Sequence, residues 1–149
     1  MIRLIPLILI AALFVACARE TSPRLTVDNV RVFAPLPGRS ESVAYLHLRN
    51  PGNSAISLTG VSSPDFADAA IHETAIDENG VARMKMLGAA SIAAESELSF
   101  APGGLHIMLL EPRRALLPGA SVQVELTFDD GTVLLLDAPV QTRPGNPPQ

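Results

Sequence analysis

Cysteine occurs once in the 149 residues, as Cys17, tryptophan is absent and tyrosine appears once. One cysteine excludes a disulfide framework, so the folded part must hold together through a packed core. The shortage of aromatic side chains leaves little support for ligand recognition by stacking. Positive charge is scarce too, with eleven Lys and Arg against fifteen Asp and Glu. Such a chain has no basic face with which to displace counterions from phosphates, which argues against nucleic acid as a partner. The long apolar run that would cross a bilayer is also missing. The longest run, Leu4 to Val15, has twelve residues, short of the roughly 20 that a membrane-spanning helix needs.

That run nevertheless has a purpose legible in its flanks. Arg3 precedes it, and it closes on Phe14-Val15-Ala16-Cys17, which is the architecture of an export signal. The closing residues resemble a bacterial lipobox, with Phe14 where such boxes most often carry Leu. The resemblance implies cleavage before Cys17, lipidation of its thiol and a periplasmic protein tethered to a membrane. Ala18 is not acidic, so both the inner and the outer membrane stay open as destinations. Residues 1–16 are expected to be the signal peptide and 17–24 the lipid-anchored tether. Cleavage before Cys17 leaves 133 residues, tether included, with ten Lys and Arg and fifteen Asp and Glu and a net charge of −5. This is a common size for one self-supporting domain.

From Leu25 onward, apolar and polar residues alternate over short stretches and no segment keeps a 3.6-residue period for three turns. The pattern predicts an all-β domain. The expected strands are Leu25 to Phe33, Ser42 to Leu48, Ala55 to Val61, Ala70 to Ala75, Val81 to Leu87, Glu97 to Phe100, Leu105 to Leu110, Ser121 to Phe128 and Thr132 to Leu136. Turn sequences separate them, among them Asn79-Gly80, Pro102-Gly103-Gly104 and Asp129-Asp130-Gly131, whose Gly and Asn tolerate positive φ. Eight or nine short strands suggest a Greek-key sandwich or barrel spanning 25–140. Residues 141–149, with three prolines and no apolar run, are expected to form a disordered tail.

The residues with distinctive chemistry are sulfur and imidazole. In a strand, His106 and Met108 project from one face while Leu105, Ile107 and Leu109 project from the other. Upstream, Met84 and Met86 repeat the spacing, and a hairpin around Asn79-Gly80 would bring His72 towards Met84. Thioether sulfur is a soft donor that prefers Cu(I), and neutral imidazole binds it well. Neither must lose a proton to bind. His106 and Met108 alone would read equally well as packing residues. Four donors argue for a metal site.

These residues also resemble the PCu(A)C family of periplasmic copper chaperones, whose signature is His, an optional Met, ten residues, Met, twenty-one residues and His-x-Met. Here His72 is followed by Glu73 in the optional slot, ten residues lead to Met84, twenty-one more to His106, and Met108 completes the pattern. The stretches Ser42 to Gly52, Gly103 to Leu110 and Leu116 to Gly131 are similar to the family as well, so that the resemblance covers about residues 25 to 138. It implies a cupredoxin-like Greek-key fold and one exposed Cu(I) site of His72, Met84, His106 and Met108. It further implies delivery of copper to the dinuclear copper centre of a respiratory oxidase subunit. Met86 is placed beside the site, as an auxiliary donor or a shield. Glu73 removes one thioether, and the tail lacks the Met and His with which many family members extend their C-terminus.

Other residues carry less. His47 reads as a surface or structural residue, and Tyr45 as either core or site lining. Arg113-Arg114 is expected in an exposed loop within reach of a partner or lipid headgroups. No carboxylates pair for acid-base catalysis, so an enzyme is not expected, and blue-copper electron transfer would need a thiolate that the domain lacks. The alternatives are a copper-sequestering lipoprotein and a metal-free envelope interaction module.

Overall fold

A computed structural model describes residues 25–143. The export signal, Cys17, the tether and residues 144–149 lie outside the described residues. Ten strands run in chain order: β1 Thr26–Phe33, β2 Glu41–Asn50, β3 Ile56–Ser62, β4 Phe66–Ile76, β5 Ala82–Leu87, β6 Ala90–Ile92, β7 Ser96–Phe100, β8 Leu105–Pro112, β9 Ser121–Phe128 and β10 Val133–Gln141. The all-β expectation holds. The strands connect in the order β5-β4-β8-β7-β2-β1-β10-β9-β3-β6. The two halves meet where β1 and β10 run parallel, Val32 opposite Val140 and Phe33 opposite Gln141.

Alternation decides which side chains go inside. On β2, Ala44, Leu46 and Leu48 are buried, and on β8 so are Ile107 and Leu109. They meet Leu58, Ile92, Val122, Val124, Leu126 and Phe128 from the other half in one cluster. Removing about three carbons from so enclosed a position, as in Ile107→Ala, would cost roughly 2–5 kcal/mol. The opposite face of the first half is left for β2 residues Glu41, Val43, Tyr45 and His47, and for His106 and Met108 on β8.

β2 has two neighbours along that side. Its beginning pairs with β8, Val43 opposite Met108, and its end pairs with β7, His47 opposite Ser99. One outer face therefore carries two separate polar clusters. At the β7 end, His47 lies between two carboxylates, Nδ1 3.4 Å from Asp28 and Nε2 3.3 Å from Glu97. This is the surface role expected of it.

Beyond shifts of one or two residues at strand ends, the strands differ from expectation in three places. β4 begins at Phe66, whose ring is buried, rather than at Ala70. β6 was not expected, because Ala90-Ser91-Ile92 offers too short an alternation, yet it pairs with β3 and buries Ile92. β10 continues through Pro139 to Gln141, the first residue of the expected tail. Pro139 faces Ser121 at the end of the β9 ladder, where a missing N–H costs little.

The basic pair Arg113-Arg114 is not an open patch. Arg114 Nε donates to Asp65 at 2.8 Å and its Nη2 to the Ser121 carbonyl at 2.7 Å, while Arg113 Nε donates to the Phe66 carbonyl at 3.0 Å. Asp65 also accepts from the Gln123 N–H at 2.9 Å. Burial would raise its carboxyl, but the Gln123 hydrogen bond and the Arg114 guanidinium outweigh that and hold it below the usual range. The pair closes the loop after β8 onto the start of β4.

Candidate metal centre

The hairpin of β4 and β5 is fixed by its turn. Gly80 takes φ +76°, a conformation most side chains avoid. Asp77 Oδ1 accepts from the N–H groups of Asn79 and Val81, both at 3.0 Å, and Oδ2 accepts from Arg83 Nε at 2.8 Å. Those bonds, the one from Val81 foremost, hold the Asp77 carboxyl below its ordinary range. With the turn fixed, the register follows: Thr74 faces Met84 and His72 faces Met86. On its other side β4 pairs with β8, so that His72 also faces His106 and Ala70 faces Met108.

One cross-strand row therefore reads Met86, His72, His106, with Met84 one pleat towards the turn and Met108 one pleat away from it. All five project to the outer face, because residues two apart on a strand share a side and directly opposed residues do too. The structure brings the four expected donors to one surface. The sequence expectation that the hairpin sets His72 towards Met84 is met only diagonally, since the residue directly opposite His72 is Met86.

The two imidazoles lie with ring centres 5.9 Å apart and planes tilted by 50°. With metal–nitrogen bonds of about 2 Å, two imidazoles sharing one ion keep their centres within roughly 6.5 Å, so the spacing suits a common ion. His106 is buried, at 5% exposure, and its Nδ1 lies 3.0 Å from the Gly104 carbonyl. A carbonyl only accepts, so Nδ1 carries the proton and Nε2 keeps its lone pair. The same Gly104 oxygen accepts the Thr74 N–H at 3.1 Å, tying the ring's orientation to the β4–β8 junction. This is the hydrogen bond by which metal-ligating histidines are commonly oriented.

His72 is the complementary case. Its Nδ1 is buried and has no hydrogen-bond partner among the described residues. Leaving such an atom unsatisfied costs about 1–3 kcal/mol, a cost that ligation would remove. Burial, and then the neighbouring His106, push the His72 imidazole below its ordinary value. It is neutral at pH 7, the state that binds a metal.

The sulfurs are more open, Met84 at 57% and Met86 at 68% exposure. Among the described residues no group of three or more His, Cys, Asp and Glu is arranged to hold a metal ion. The donor set at His72 and His106 is mixed imidazole and thioether, which favours a soft ion over zinc or calcium.

Beside these residues a cavity of about 340 Å³ opens on the outer face. Its lining includes Met84, His106 and Met108 together with Tyr45, Glu41, Arg39 and Arg143. Tyr45 is thereby placed as site lining rather than core, its ring held edge-on by Phe33 with centres 5.8 Å apart. Arg39 and Arg143 were not singled out in the sequence. They lie far from the signature, and only the fold brings them there.

Residues 25–140 match the sequence model of the family described as "Putative lipoprotein LpqE-like". The chain is 30% identical over 128 residues to "Putative lipoprotein Lxx21020" of Leifsonia xyli subsp. xyli (strain CTCB07), covering 83% of this chain and 76% of that one. It is 33% identical over 102 residues to "Uncharacterized protein RP573" of Rickettsia prowazekii (strain Madrid E), covering 68% of this chain and 56% of that one. Among solved structures, the fold is similar to the CuI form of DR1885 from Deinococcus radiodurans, with a TM-score of 0.67 and 28% identity over 85% of each chain. It is also similar to the copper-bound PCuAC domain from PmoF2, with a TM-score of 0.68 and 22% identity over 81% of this chain and 95% of that one. The chain belongs to the LpqE-like family, and its fold is the cupredoxin-like β fold of the PCuAC domains.

Proposed function

We propose that this member of the LpqE-like family is a copper carrier, which holds one Cu(I) between His72, Met84, His106 and Met108 and releases it to another protein. The observation that carries the reading is the complementary state of the two imidazoles. His106 has its Nδ1 proton engaged by Gly104, and His72 has a buried Nδ1 without a partner among the described residues, so each ring keeps a nitrogen free to bind an ion. The similarity to a CuI-bound neighbour at 28% identity supports the choice of ion.

The donor set suits transport rather than catalysis. Four neutral ligands leave the site at +1 and need no deprotonation, so ion exchange is not coupled to a proton. The Met84 thioether, more than half exposed, can be replaced by a donor of an incoming partner. The rigid part of the site is the buried His106, and the exchangeable part is the edge strand β5.

The recipient we propose is the subunit of a respiratory oxidase that carries its dinuclear copper centre, reached by a chain anchored through a lipid on Cys17 to the periplasmic face of a membrane. The lipoprotein descriptions of the family and of its Leifsonia relative support the anchor. Sequestration of copper is the second reading, but a single site on a short tether stores copper inefficiently.

An anaerobic Cu(I) titration against a competing chelator tests the site, and transfer to the metal-free oxidase fragment tests the role. One tightly bound equivalent that moves to the fragment faster than free exchange allows is the expected result. Binding without transfer leaves sequestration. No binding removes the copper reading altogether.

A further inference from the structure

The described residues contain seven arginines, and five of them are engaged by the protein itself. Arg49 meets Glu97, Arg83 meets Asp77, Arg114 meets Asp65, Arg113 donates to the Phe66 carbonyl, and Arg31 lies over the Tyr45 ring. The two with neither an ion pair, a side-chain hydrogen bond nor a ring contact among the described residues are Arg39 and Arg143, and both line the cavity beside the metal ligands. The Nε of Arg143 is moreover buried without a hydrogen-bond acceptor among the described residues, although guanidinium N–H groups are strong donors that rarely go unsatisfied.

Glu41 is the one carboxylate in the cavity wall, and it forms no ion pair with either arginine. Two arginines against one glutamate give the wall an excess of one positive charge in a chain whose net charge is −4. A volume of about 340 Å³ is at the lower end of small-ligand sites. His106 and Met108 line the same cavity, so a molecule held by the guanidiniums would lie beside the metal ligands.

We propose that this cavity is a subsite for a small polyvalent oxyanion, a di- or tricarboxylate or a phosphate, belonging to the ligand from which copper is taken. It rests on the copper reading for its purpose, but not for its binding chemistry. Arg39 and Arg143 would hold the anionic oxygens by charge-assisted hydrogen bonds, with Tyr45 Oη on the cavity wall as a further donor. The copper carried by that ligand would then face His106 and Met108. Cu(I) passes by ligand exchange without a change of oxidation state, and the released anion leaves through the open side.

The test uses the metal-free chain, so that its failure is distinct from a failure to bind copper. Tyr45 is the only tyrosine and tryptophan is absent, so intrinsic fluorescence reports on the cavity wall itself. Citrate and inorganic phosphate are titrated separately, with calorimetry in parallel. Saturable binding of either is expected, weakened about tenfold or more in the double variant Arg39→Ala/Arg143→Ala. Arg49→Ala, on the same face but paired with Glu97, should bind as the unaltered chain does. Binding of citrate alone identifies a carboxylate source and binding of phosphate alone a phosphate source. No saturation of either by about 10 mM, or equal weakening by Arg49→Ala, overturns the subsite. Unchanged thermal unfolding of the double variant would show that any loss is local.

Discussion

His72 and His106 stand directly opposite each other on β4 and β8, and they differ in what occupies Nδ1: a carbonyl partner for His106, none for His72. The difference separates a fixed ligand from one that needs an ion to be satisfied. Replacing His106 by Ala should lower Cu(I) affinity by about a hundredfold or more, two units of log affinity being close to 3 kcal/mol. His72→Ala should lower affinity similarly while leaving the metal-free domain at least as stable, because it removes an unsatisfied buried nitrogen. Competition titration and thermal unfolding of both variants check the pair of outcomes.

The two exposed thioethers should not be equivalent. Met84 lines the cavity with His106 and Met108, whereas Met86 faces His72 across β5 and is more exposed. Met84→Ala is expected to weaken Cu(I) binding by about tenfold, and Met86→Ala by less than threefold. The double variant should lose more than the product of the two, because Met86 can stand in for Met84 when it is missing. A product of independent effects would show that Met86 only shields the site.

How much of this could be read from the chain varies with the range of the contact. The side-by-side projection of His106 and Met108, and their separation from Ile107 and Leu109, follow from the two-residue period of a strand and were legible. The pairing of His72 with Met86 was not, since cross-strand register depends on how Asp77 binds the turn, and neighbouring registers fit the same spacing. Arg113 and Arg114 are exposed as expected, but their pairing was hidden because their acceptors, Asp65, Phe66 and Ser121, are distant or are backbone atoms. Arg39 and Arg143 reach the cavity by way of the β1–β2 loop and the end of β10, a convergence no local pattern signals. β6 was missed because three residues are too few to show alternation.

Acid should act on the domain through Asp65. Its carboxyl is held below the unfolded value near 3.8 by Gln123 and Arg114, so its contribution to stability is fully present above that value. The contribution is lost as pH falls from there through the lowered folded value. Asp65→Asn should therefore lower stability at pH 7 by about 1–3 kcal/mol and make unfolding less pH-dependent below about pH 4. Urea unfolding at pH 7 and at pH 3 provides the comparison, and an unchanged pH slope would contradict the assignment.

A second structural prediction concerns Asn50 at the end of β2. Its buried amide donates to the carbonyls of Ser54 at 2.8 Å and Ala93 at 3.0 Å, and its oxygen accepts from the Gly52 N–H at 3.0 Å. One side chain thus ties the β2–β3 turn to the segment after β6. Asn50→Ala leaves these backbone groups partly unsatisfied and should destabilise by about 2–3 kcal/mol, with copper affinity unchanged because the site lies at the other end of β2. Denaturant midpoints together with a Cu(I) titration separate the two effects.

X-ray absorption at the copper edge of the Cu(I)-loaded chain tests the central claim most directly. The first shell is expected to contain both nitrogen and sulfur, with the sulfur contribution lost in Met84→Ala/Met86→Ala/Met108→Ala and the nitrogen contribution reduced in His106→Ala. A shell of nitrogen and oxygen alone in the unaltered chain, or a sulfur signal that survives loss of all three methionines, would contradict the copper site.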